Sequence, residues 1–309
     1  MNNASTPNAY LPIREVAKRT GVNPVTLRAW ERRYGLIIPH RTPKGHRLYS
    51  DEQVNQIKRV LFWLDRGVSI SHVKPLIEQA DMPMENPEEN NQDWTLLCSQ
   101  MHTAIKTLNE NRFVQAWNKA MSLYPVDTVN ARLIYPLWQQ LRQEWQGSGV
   151  NSSVEARFFN HCLKGYLYSR LHHNGRDQNF ETVVLASLSD EPEDEISLLL
   201  EGAVASSLEY RVMLLYPTLN VTELPLILDR IPAGALLLHS HRRLASKTIE
   251  QELPRLRALY PDLPIGFSGD AVLIHQNALD AVGIHTQPES PQQLMRQLLG
   301  IGQPLTEAS

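Results

Sequence analysis

The sequence predicts a mixed α plus α/β chain laid out as three consecutive regions, and three observations carry that reading. Residues 1–79 are basic, with 13 Lys and Arg against 6 Asp and Glu, although the whole chain has a net charge of −3. From Trp94 to about Leu171 apolar residues recur only at helical spacing, as in Leu97, Met101, Ile105 and Leu108, and again in Leu133, Leu137 and Leu141. Beyond that, short continuous apolar runs at 183–187, 212–216, 235–239 and 265–268 alternate with amphipathic stretches such as 193–208 and 244–259. Uninterrupted apolar strands between helices are the pattern of a parallel sheet covered on both faces. The expected division is a head at 1–80, a linker at 81–93 rich in Pro, Asn and acid, a helical bundle at 94–175, and an α/β domain at 180–301. A weaker fifth strand is expected at 282–285 and a last helix at 291–299.

Size and composition bound the function classes. A chain of 309 residues with 42% hydrophobic and 20% charged side chains has room for two or three globular domains. No apolar run reaches the length of a membrane-spanning helix, and residues 1–10 have no secretory apolar core. Two cysteines, Cys98 and Cys162, exclude a disulfide framework and a Cys-rich zinc site. A cytoplasmic location, with no membrane partner, is therefore expected. A basic head on an acidic body suits a polyanion-binding module joined to a different kind of domain.

Within the head, Ile13, Val16 and Ala17 form one apolar stripe of a short helix that Gly21 ends. Asn23 and Pro24 supply an N-cap and a first helical residue for the next. Helix, glycine turn, helix is the arrangement that lays its second helix in a DNA major groove. In that helix Leu27, Trp30 and Tyr34 face the core, while Val25, Arg28, Ala29 and Arg32 share the other face. Arg28, Arg32 and Arg33 would then meet phosphates or guanines, with Val25 and Thr26 beside them. A Pro-Lys-Gly turn follows, flanked by apolar residues, and reads as a hairpin whose tip carries Arg41, Lys44, His46 and Arg47. Ser50 and Gln53 form a capping box for a helix with Val54, Ile57, Leu61 and Leu64 inward and Gly67 beyond its end. A fourth helix, capped by Ser69 or Ser71, holds Val73, Leu76 and Ile77.

The segments Ile13-Arg-Glu-Val-Ala-Lys-Arg-Thr-Gly-Val-Asn, Thr26-Leu-Arg-Ala-Trp-Glu-Arg-Arg-Tyr-Gly and Arg41-Thr-Pro-Lys-Gly-His-Arg-Leu-Tyr-Ser together resemble the MerR-type winged helix-turn-helix. The wording around Trp30 is nearest the branch that holds biofilm regulators and the cobalamin-dependent light regulators. The resemblance covers about the first 70 residues and implies that Arg28, Arg47 and Tyr49 touch the DNA backbone. Pro75, inside the fourth helix, departs from the family pattern.

The order of bundle and α/β domain resembles the cobalamin-binding unit of those light regulators, which implies a flavodoxin-like, cobalamin-binding-like sheet. The family's bundle carries a Trp followed by a Glu-His pair. Here Trp145 is followed by Glu155-Ala156. The family's first strand leads into Glu/Asp-x-His-x-x-Gly, whose His binds cobalt. Here Glu195 stands at the His position and Leu198 at the Gly position. Phe267-Ser268-Gly269 replaces a Gly-Gly pair, and Ser240 is of the kind that fold keeps. Carboxylate is a poor substitute for imidazole on cobalt, so no cofactor is expected and the crevice at the strand ends is left to an unknown small ligand.

Other chemistry is thin. His172-His173 and His239-Ser-His241 have no carboxylate or cysteine set beside them in sequence, so no metal is expected there. Asp190, Glu191, Glu193, Asp194 and Glu195 form an acidic cluster that could bind a cation, but the favoured reading is a solvated loop and helix start. No catalytic constellation is visible, and an enzyme is not expected. The reading is a regulator that binds double-stranded promoter DNA as a homodimer or higher, acts as an activator through RNA polymerase, and carries a degenerate cobalamin-type sensor or dimerisation domain. The alternative is a cobalamin-dependent, light-responsive repressor.

Overall fold

The computed structural model describes residues 10–78, 92–146, 149–174, 180–286 and 291–300. Most of the expected linker at 81–93 lies outside the described residues. Two compact units emerge, one at residues 1–152 with 302–309 and the other at 153–301.

The first unit opens with strand β1 (Leu11–Pro12) and helices α1 (Ile13–Thr20) and α2 (Pro24–Ala29). The local signals act where the sequence puts them. Gly21 closes α1 in the left-handed region at φ 71° and donates its N–H to Ala17 O, and the Asn23 side chain accepts from Thr26 N. The second helix then changes register, because Trp30–Tyr34 forms a π-helical turn continuous with α2. Strands β2 (His40–Arg41) and β3 (Arg47–Tyr49) make the expected hairpin, and β1 adds to it in the order β1-β3-β2. Gly45, at φ 81°, turns the hairpin and donates to Thr42 O. Helix α3 (Asp51–Asp65) starts with both bonds of the Ser50–Gln53 capping box, and α4 (Ile70–Glu78) runs through Pro75.

The same unit contains α5 (Gln92–Lys106), α6 (Glu110–Leu123), α7 (Val126–Val129), a π turn at Asn130–Ile134, and α8 (Tyr135–Trp145). The head is seated on these helices. Trp30, fully buried, donates its indole N–H to Leu123 O at 2.7 Å, and Ile70 N donates to the Tyr124 hydroxyl at 3.4 Å. The Arg132 guanidinium donates to Asp65 O, where α3 ends. Across α5 and α8, Glu144 accepts from Lys106 at 2.8 Å and pairs with His102 at 3.0 Å.

The second unit begins on α9 (Val150–Asn174) and holds a four-stranded parallel sheet of β4 (Thr182–Ser187), β5 (Arg211–Leu215), β6 (Ala233–His239) and β7 (Ile265–Ser268), in the order β5-β4-β6-β7. That order places the first strand centrally, which is the flavodoxin-like winding. The strand is accordingly buried along its whole length. One face, with Val184, Ala186, Leu236, Leu238 and Phe267, is covered by α11 (Leu224–Leu228), α12 (Leu253–Leu259) and α13 (Ala271–Ala281). The other face meets α10 (Pro192–Ser207) at Gly202 and α14 (Pro291–Leu298) at Leu298.

Several expectations change in detail. The fifth strand reduces to a single bridge of His285 to Gly266. The stretch 244–259 is helical only from Ser246, and Thr248–Glu252 within it is π-helical. Helix α13 has no counterpart in the sequence reading, because Ala-Val-Leu-Ile gives it no polar face at its start. The helix at the end of the expected bundle, α9, groups with the sheet: Lys164 and Tyr168 bond Glu195 of α10, and Leu171 reaches Gly202.

Candidate nucleic-acid interface

The second helix of the head presents Val25, Arg28, Arg32 and Arg33 to solvent. The wing adds Arg41, Lys44 and His46, all exposed, and Arg47, which is half-buried. Two residues proposed from sequence as DNA contacts lie elsewhere. Thr26 is fully buried, with its hydroxyl unpartnered among the described residues, because the first turn of α2 packs it inward. Tyr49 is 1% exposed and opposite Leu11 in the small sheet. Burial pushes its phenol up to about 12, with Glu31 adding to the shift. Neither side chain reaches a phosphate without leaving the core. Ala29, expected on the exposed face, is buried as well.

What organises this surface is Glu31, which the sequence reading passed over. It lies in the π turn and accepts from Arg41 Nη2 at 2.6 Å and from Arg47 Nε at 2.5 Å. The Glu31 side chain is only 14% exposed and that of Arg47 23%, so these are charge-assisted bonds largely withdrawn from water. Burial pushes the Glu31 carboxyl up, but the hydrogen bonds from Arg47 and Arg41 outweigh it and hold its pKa below the ordinary value of 4.5. One carboxylate on the helix thus fixes both strands of the wing. The sequence did contain a signal, since Glu31 is the single acid between Val16 and Ser50, among eight Lys and Arg. From α3, Gln53 Nε2 donates to Ile38 O at 2.5 Å and Gln56 Nε2 to Leu36 O at 2.9 Å, which secures the segment leading into the wing.

In the second unit, the residues where a corrin would sit do not fit one. The Glu195 carboxylate is taken up by Lys164 Nζ at 2.5 Å and by the Tyr168 hydroxyl at 2.8 Å. Leu198 is fully buried, and Ala156 offers no ligand atom. Gly269 serves the backbone: at φ 93°, a Cβ there would lie 2.3 Å from Ser240 O. A cleft of about 250 Å³, lined by Leu228, Gly234, Tyr260, Leu263 and Pro264, opens at the opposite, N-terminal ends of β6 and β7.

Comparison with known proteins agrees with the head. Residues 11–80 match the family model described as MerR HTH family regulatory protein. The HTH-type transcriptional regulator MlrA of Escherichia coli (strain K12) is 32% identical over 69% of this chain and 82% of its own length. The HTH-type transcriptional repressor CarH of Myxococcus xanthus is 26% identical over 87% of this chain and 92% of its own. A cobalamin-binding protein of known crystal structure from Desulfitobacterium hafniense DCB-2 is 13% identical, with a TM-score of 0.34 over 65% of this chain and 96% of that one, a likeness too loose to bear on function. Among the described residues no helix is long and apolar enough to cross a membrane. The head's geometry, the matched family and the extent of the MlrA similarity lead to one conclusion: this chain belongs to the MerR family of helix-turn-helix transcriptional regulators.

Proposed function

We propose that this regulator binds double-stranded promoter DNA as a homodimer, one winged head on each half-site, and activates transcription by RNA polymerase. The observation that carries the reading is the exposed set Arg28, Arg32 and Arg33 beside a wing tip whose register Glu31 holds. Arg28 enters the groove or meets its edge from α2, and Lys44 and His46 lie along the flanking phosphates. Two-fold pairing doubles a small contact area and explains site recognition by a head of this size. Backbone contacts on both sides of the site would offset the cost of distorting the promoter so that polymerase elements align. The α/β unit reports to the heads a ligand other than cobalamin, whose two expected cobalt contacts are Ala156 and Glu195 here.

The test is binding of full-length protein to DNA selected from a random pool, with a scrambled duplex as control. Arg28→Ala is expected to cost about 1–3 kcal/mol per head on the selected site if the contact is to a base. Affinity should fall by about 0.9 log units per log unit of salt for each phosphate neutralised. Unchanged affinity of Arg28→Ala on both duplexes removes Arg28 from the interface. A chain that sediments as a monomer both alone and on DNA overturns the dimer. Incubation with adenosylcobalamin in the dark followed by gel filtration should leave the protein colourless.

A further inference from the structure

From the geometry of the second unit we infer that Asp194, His239 and His241 form a binding site for a divalent transition-metal ion of the zinc class, with an open coordination position facing solvent. Sequence spacing hides the site, because Asp194 lies 47 residues before His241. Folding joins them at the C-terminal ends of β4 and β6. Asp194 is in the first turn of α10 and fully buried, although the acidic run around it reads as solvated. His239 ends β6 and is buried, and His241 is two residues on and partly exposed.

The three donor atoms converge on one point. His239 Nε2 is 3.1 Å from His241 Nδ1, His241 Nδ1 is 2.5 Å from Asp194 Oδ1, and His239 Nε2 is 3.6 Å from Asp194 Oδ1. Bonds of about 2.0–2.1 Å in a tetrahedral zinc site put ligand atoms roughly 3.3 Å apart. The observed separations straddle that edge, so an ion is accommodated by sub-ångström adjustments, the largest being an opening of the short His241–Asp194 contact. Two imidazoles and a carboxylate match the borderline softness of zinc.

The surroundings are already arranged for ligation. His239 Nδ1 is 2.7 Å from Ser268 Oγ, and with that nitrogen donating to the serine, the Nε2 lone pair faces the cluster. Asp194 Oδ2 accepts from the hydroxyls of Ser187, at 2.7 Å, and Ser189, which fixes the carboxylate, while Oδ1 faces the two rings and also accepts from His241 N at 3.2 Å. His241 Nδ1 lies within hydrogen-bond reach of both Asp194 Oδ1, at 2.5 Å, and His239 Nε2, at 3.1 Å. An ion between them would meet all three atoms together. Because His241 is the exposed member, the fourth position opens on its side, to water or to a ligand that the ion would recruit. A bound ion would tie the start of α10 to the loop after β6, at the end of a flavodoxin-like sheet where ligands lodge.

The experiment is equilibrium dialysis of the full-length protein against Zn²⁺, with Co²⁺ as a spectroscopic probe of coordination. One ion per chain is expected, and Co²⁺ should give the visible absorption of a tetrahedral site. His241→Ala and Asp194→Asn should each weaken binding at least tenfold, and Ser268→Ala about 10–100-fold through loss of the ring's support. His241→Ala removes the most exposed member, and an unchanged circular dichroism spectrum establishes its fold. Should that variant unfold, competition for Co²⁺ by Zn²⁺ in the unaltered protein, read by the absorption, decides the matter. Absence of stoichiometric Zn²⁺ or Co²⁺ binding, or equal affinity in wild type and folded His241→Ala, overturns the proposal.

Discussion

Replacing Glu31 with Gln tests whether one carboxylate sets the wing. The substitution keeps the shape and removes the charge. Arg47, at 23% exposure, exchanges a charge-assisted bond for a neutral one, a loss of about 1–2 kcal/mol. Arg41 is 51% exposed, so its share is discounted for solvent screening to under about 1 kcal/mol. The sum, about 2 kcal/mol, corresponds to a fall in Tm of roughly 4–8 °C for a unit of about 150 residues. The effect on DNA should run in two directions. Two guanidinium groups are released from their internal anion, so non-specific affinity should rise at low salt. The salt slope should steepen by about 0.9 for each new phosphate contact. Specific affinity should drop, because the wing loses its fixed register on the helix. Fluorescence anisotropy on selected and scrambled duplexes at several salt concentrations reads both terms. Equal losses on the two duplexes with an unchanged slope would show that Glu31 only stabilises the fold, and no change at all would refute the argument.

Three further outcomes are expected. Trp30→Phe leaves Leu123 O without its 2.7 Å donor inside the first unit, and denaturant unfolding should show a loss of about 1–3 kcal/mol for the unsatisfied carbonyl; a loss below about 0.5 kcal/mol would mean that water replaces the indole. Bonds from Lys106, Gln140 and His102 hold Glu144 down to about 2, against an ordinary 4.5. Its folded pKa is depressed, so its contribution is complete above pH 4.5 and vanishes as pH falls towards 2. The wild-type advantage over Glu144→Gln should shrink across that window in pH-dependent melting curves, and a constant difference would contradict the pairing. Gly269→Ala should destabilise the second unit by at least about 2 kcal/mol, combining a left-handed φ of 93° with a Cβ driven onto Ser240 O; a wild-type denaturation midpoint would refute the close approach.

The division between what the sequence determined and what folding decided follows the range of the forces. Gly21, Asn23 with Pro24, and Ser50 with Gln53 act on backbone groups within four residues, so their caps were legible and are in place. The four strands were legible because helices cover both faces of a parallel sheet, so its strands read as apolar runs, the central β4 buried along its whole length. The cation set on the second helix was legible in identity but not in full placement. The register changes at Trp30, whose docking on Leu123 is 93 residues distant in sequence, and hydrophobic periodicity cannot foresee a π turn. Tyr49 was expected at the DNA from the family resemblance and Thr26 from its place on the second helix, and only packing shows that both are interior. Glu31 was visible as a lone acid, but its two arginine partners needed the hairpin folded against the helix. The Asp194, His239 and His241 cluster is the extreme case. Residue types fixed its chemistry, whereas the crossover from β4 through β5 to β6 alone brings a buried carboxylate to two rings some 45 residues downstream.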